Sequence, residues 1–133
     1  MNVQLIIAGC LAVAGAGIHG VAGELLVVRN LSTETLPSTR FGGAPMTRAM
    51  IHVTWHMTTI AFLTVGAAFL LSGSVLHGDA ARGISLVGAG AATGFAALVL
   101  GLGGAALSPR SLLRHPAPVL LTATAVLAWW GAL

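Results

Sequence analysis

The sequence predicts an all-α integral membrane protein, folded as a four-transmembrane-helix up-down bundle. Three observations carry this reading. Of the 133 residues, 56% are hydrophobic and only 7% are charged, whereas a soluble domain carries roughly 25% charged residues. The mean hydropathy is +0.95. Four segments have about the 20 mostly apolar residues that a bilayer-spanning helix needs. Together these exclude a soluble globular protein, a disordered tail and a fibrous repeat. The length limits the chain to one unit, a single membrane domain over residues 1–133. In lipid the backbone must satisfy its own hydrogen bonds, so the spans are helices and not open strands.

The first span is expected at about 3–28, the second at 47–72, the third at 83–107 and the fourth at 116–133. Met1-Asn2-Val3-Gln4 lacks the basic stretch that opens a secretory signal. Residues 30–46 form the longest connection, broken by Pro37, Gly42, Gly43 and Pro45. Residues 73–82 are short, and Asp79 is placed to cap the third helix. Ser108-Pro109 reads as a helix start, with Ser108 capping and Pro109 in the first turn. His115 precedes Pro116 and so marks a break before the fourth span.

Orientation rests on the arginines. Arg29, Arg40 and Arg48 flank the first connection, and Arg110 and Arg114 lie in the third. By the positive-inside rule both connections face the cytoplasm and both termini lie outside, in a bacterial inner membrane. Trp129 and Trp130 then belong to an aromatic belt at the outer interface. The pI of about 11.3 comes from six arginines set against Glu24, Glu34 and Asp79, with no lysine. Such a charge, scattered over several loops, is no nucleic-acid footprint. A single cysteine, Cys10, excludes an internal disulfide and a Cys-based zinc framework.

Small residues set the expected packing. Ala12, Ala16 and Gly20 share one face of the first span, and Gly90, Gly94, Ala97 and Gly101 form a similar stripe on the third. Such faces let helix backbones approach closely, within one chain or between copies. The partners expected are therefore the lipid bilayer and either further copies of the chain or a larger membrane complex.

The polar residues inside the spans are the functional signal. His19 and Glu24 lie in the first span, His52 and His56 in the second, and His115 at the mouth of the fourth; His77 sits in the second connection. His19 and His56 each fall about 6 Å from the middle of their span, and Glu24 and His52 about 12–13 Å, all toward the first connection. His52 and His56 are four apart, so they share a helix face and can converge on one ion. Thr59 continues that face. His19 and Glu24, five apart, are about 140° apart around an α-helix and do not stack. Ionisable groups inside a span are costly and by default mark a function.

The chemistry expected is a transition-metal ion, zinc, copper or iron, held by His19, Glu24, His52, His56 and His115. Imidazole suits these metals, and a carboxylate extends the choice to manganese. Met46, Met50 and Met57 lie near the same end and would bias a site toward Cu(I). The alternative is a haem b electron-transfer protein with His19 and His56 as axial ligands. A proton pathway is disfavoured because the cluster occupies one side only. The last reading is a cofactor-free accessory subunit. Trp55 points about 100° away from His56 and is read as packing. No serine-histidine-aspartate arrangement and no phosphate loop can be placed. Activity on a lipid-soluble substrate remains open through an incomplete metal coordination sphere.

Overall fold

A computed structural model describes residues 1–106 and 108–133, without the side chain of Leu113. The expected end of the third span, at Leu107, lies outside the described residues. Of these residues 84% are helical and none is in a strand.

The helices are α1 (Val3–Gly17), a π turn (Ile18–Ala22), α2 (Gly23–Leu26), α3 (Gly43–Ser74), α4 (Gly78–Ala106), α5 (Pro109–Arg114) and α6 (Pro116–Ala132). The run from Val3 to Asn30, α3 and α4 are each long and apolar enough to cross a membrane. Helix α6 is apolar but shorter, at 17 residues. The helices α1, α3, α4 and α6 form a ring, α1 against α3 and α6, and α4 against α6 and α3.

One end of this ring carries the N-terminus and the ends of α3 and α6. Asn2 ties it together. Its side chain caps α1 by accepting from Leu5 N at 3.2 Å, its Nδ2 donates to Gly131 O at 2.8 Å, and its backbone N–H donates to Gly73 O at 2.8 Å. An N-cap of this kind satisfies one of the backbone donors that a helix start leaves open. Below this clamp Leu5, Ala8, Phe69, Ala89, Ala92, Ala125 and Ala128 form the buried core. The helices touch there through glycine: a Cβ on Gly9 would stand 2.9 Å from Gly66 O, and one on Gly88 would stand 2.7 Å from the Phe69 ring.

At the opposite end lie the first connection and α5. Gly42 and Gly43 have φ of 145° and 73°, a backbone that residues with a Cβ rarely adopt. They turn the chain into α3, and Thr47 Oγ1 fastens the turn to Pro37 O at 2.9 Å. As a result α3 starts at Gly43, one turn earlier than expected, and α4 starts at Gly78, not near residue 83. Asp79 sits within the first turn of α4, where its charge complements the helix dipole; it is not the cap residue. Ser108 caps α5, accepting from Ser111 N at 3.2 Å, with Pro109 in its first turn.

The stripe on α1 packs within the chain, with Ala12 and Ala16 buried. The stripe on α4 does not. A Cβ on Gly90, Gly94 or Gly101 would meet nothing within 4 Å, and α4 buries Ser85, Gly88, Ala89, Ala92 and Ala96 instead. Trp129, expected as a belt anchor, also has an internal partner: its Nε1 donates to Thr93 Oγ1 at 2.9 Å.

Candidate metal centre

Two elements meet at the site. Helix α3 presents His52 and His56 on one face, as their spacing requires. Helix α2 presents Glu24, immediately after the π turn. An i→i+5 turn of this type is rare and occurs mostly as a single-turn bulge in an α-helix, frequently at functional sites. The π turn explains why the angle between His19 and Glu24 cannot be read from α-helical spacing.

The two imidazoles converge on one carboxylate oxygen. His52 Nε2 lies 3.2 Å and His56 Nε2 3.3 Å from Glu24 Oε2, and one ligand atom from each residue falls within 4.8 Å of the others. The imidazole rings are 5.0 Å apart and tilted by 48°. Glu24 is the most enclosed, at 23% exposed, against 41% for His56 and 51% for His52. His56 Nε2 is within hydrogen-bonding distance of Glu24 Oε2. The Glu24–His52–His56 group brings its three ligand atoms close enough together to hold a metal ion.

His19 and His115 do not join it. His19 Nδ1 lies 3.0 Å from Thr59 Oγ1. The Thr59 hydroxyl also reaches back to its own helix, donating to Trp55 O at 3.3 Å. The His19 ring stacks on Trp55, with centroids 4.4 Å apart and planes 13° from parallel. Trp55 Nε1 in turn donates to His19 O at 2.9 Å. Trp55 therefore acts as the packing partner that the sequence suggests, but its partner is the very histidine expected at the metal. His115 caps α6, its Nδ1 accepting from Ala117 N at 3.2 Å. Of the five residues expected from sequence, the structure brings Glu24, His52 and His56 together.

The methionines are also displaced. Met46 and Met50 line a separate, largely apolar cleft of about 720 Å³ with His19, Phe41 and Trp55. Glu24 and His52 instead line a cleft of about 470 Å³, whose other walls include Arg29, Thr33, Pro45 and Arg48. That cleft leads from the first connection to His52 and Glu24. No signal in the sequence alone would have found the stacking of His19 on Trp55, because it depends on how the two helices are rotated about their axes.

The chain matches no protein-family model, no curated protein and no solved structure.

Proposed function

We propose that this chain is a small polytopic membrane protein that binds a transition-metal ion through Glu24, His52 and His56. The observation that carries this is the convergence of two imidazole nitrogens on one carboxylate oxygen, at 3.2 and 3.3 Å from Glu24 Oε2, with one ligand atom from each of the three residues within 4.8 Å of the others. Two imidazoles and a carboxylate suit zinc or iron; copper(I) would want the thioethers, and Met46 and Met50 line the other cleft. Three protein ligands leave a coordination position open, as in catalytic and not structural sites. The ion would reach its ligands through the cleft from the first connection.

In this reading α6 is the fourth span. Its 17 residues extend about 26 Å, a little short of the roughly 30 Å hydrocarbon layer. Arg29, Arg48, Arg110 and Arg114 gather at the end that carries the first connection and α5, which favours a cytoplasmic placement of that end and of the site. The haem b alternative has less behind it. A Cβ on Gly20 would stand 2.8 Å from Thr59, and one on Gly23 would run into the Trp55 ring. The two helices that would flank a macrocycle held by His19 and His56 are already in contact.

Elemental mass spectrometry on detergent-purified protein tests the assignment. Wild type reconstituted with zinc or iron(II) and then desalted is expected to retain near-stoichiometric metal. Glu24→Gln, His52→Ala and His56→Ala are expected to lose it, and His19→Ala and His115→Ala to keep it. Equal retention by all six proteins, or none by wild type, overturns the site.

A further inference from the structure

The cleft beside the Glu24–His52–His56 group has an unusual charge balance. Arg29 and Arg48 both line it. Among the described residues no arginine nitrogen comes within 4.0 Å of a carboxylate; the ion pairs are the two between histidine and Glu24. Glu24 pairs with His52 and His56 and makes no ion pair with either guanidinium. Arg48 lies one turn before His52 on the same helix face. Its Nη2 donates to Arg29 O at 3.4 Å, which holds the side chain across the mouth of the cleft. A guanidinium has five N–H donors, so most of those on Arg48 are left for a ligand. An ion in the group would add further positive charge at the floor.

We propose that this cleft binds a small oxyanion, a phosphate or carboxylate group, between the open coordination position of the ion and the guanidiniums of Arg29 and Arg48. This rests on the metal reading above. The chemistry is that of paired recognition: one oxygen takes the open position, and the others accept from the planar fork of an arginine, whose geometry matches phosphate and carboxylate. Two guanidiniums against one carboxylate, with an ion bound beside it, also concentrate an anion in the cleft. The unpaired arginines beside an open-sided cation site are what set this cleft apart from the apolar one around Met46 and Met50. Free phosphate and a lipid headgroup present the same oxyanion, and the chemistry of recognition is the same for both.

Cobalt(II)-loaded protein in a phosphate-free maltoside detergent tests this, with inorganic phosphate as the probe and the visible cobalt bands as the readout. Phosphate is expected to shift the bands saturably. Arg48→Gln is expected to weaken that response about tenfold or more with cobalt content unchanged, and Arg48→Lys to restore it only in part, because lysine lacks the fork. In nanodiscs, bands already shifted by phosphatidylglycerol but not by phosphatidylcholine, and no longer sensitive to free phosphate, identify the headgroup as the source and uphold the proposal. Cobalt bound normally with no response to phosphate in detergent overturns the oxyanion site and leaves the metal site standing. An equal response in wild type and in the Arg29→Gln, Arg48→Gln double variant also overturns it. Failure to bind cobalt at all overturns the metal reading, and this inference with it.

Discussion

The two ends of the helix ring are built differently. At the end carrying the termini, helices approach closely at Gly9, Gly66, Gly73 and Gly88, Asn2 clamps three helices together, and Phe69 is fully enclosed. At the other end the first span still meets α3 through Gly20 and Gly23, against Thr59 and Trp55, yet polar contacts replace the enclosed core. Helix α3 shows the contrast within one element: its buried residues are Gly66, Phe69, Ser72 and Gly73, and none lies in the half that carries His52 and His56. Lipid tails are as apolar as leucine, so helices in a bilayer are held mainly by close packing and interhelical hydrogen bonds. The enclosed core sits at one end and the chemistry at the other. A region with few buried contacts opens at low cost, which suits a site that must admit an ion.

This contrast can be broken or sharpened by substitution. Phe69→Ala is expected to cost about 3–5 kcal/mol, read by thermal unfolding in detergent, while leaving metal uptake by the folded fraction intact. Glu24→Gln should do the reverse. Its metal affinity is expected to fall by more than about 100-fold, beyond what loss of an outer-sphere partner gives, measured by competition with a chelator. Its metal-free stability is expected to change by less than about 1 kcal/mol, because its two imidazole partners are half exposed. Trp55→Phe keeps the stacking on His19 and removes the hydrogen bond to His19 O, at a cost of about 1 kcal/mol; a cost equal to that of Phe69→Ala in the same unfolding assay would erase the contrast. The smallest effect has the opposite sign. Gly90→Ala meets open space and is expected to stabilise by at most about 1 kcal/mol, whereas Gly88→Ala runs into Phe69 and should destabilise.

Much of this was legible in the sequence, for identifiable reasons. The helical spans follow from apolar length, and His52 and His56 share a face because four residues nearly close a helical turn. Glu24 stood out because a carboxylate within a span needs a partner. The rotation of each helix about its axis was not legible. In a soluble bundle a polar face turns outward and sets that rotation; here the outward and inward faces are both apolar. Hence Met46 and Met50 could not be assigned to their cleft, nor Gly90 and Gly94 to the outer face. His19 and His115 were drawn into the ligand set by residue type and depth alone, and the structure gives each a different partner, Thr59 and Ala117 N. The early start of α3 escaped because its first turn depends on the unusual backbone at Gly42 and Gly43.

The π turn at Ile18–Ala22 makes the first span a two-part ruler. Its first part is registered against α3 by Gly9 and Gly66, and its second part carries Glu24. A π turn takes up about one residue more than an α turn, so residues beyond it stand about 100° back from where unbroken α-helical spacing would put them. Tightening the turn to α-helical geometry at constant chain length would therefore swing Glu24 about 100° away from His52 and His56 while the anchored part stayed in place. Deleting one residue there would instead leave a plain α-helix with Glu24 still facing α3, so the extra residue and the wide turn that houses it belong together.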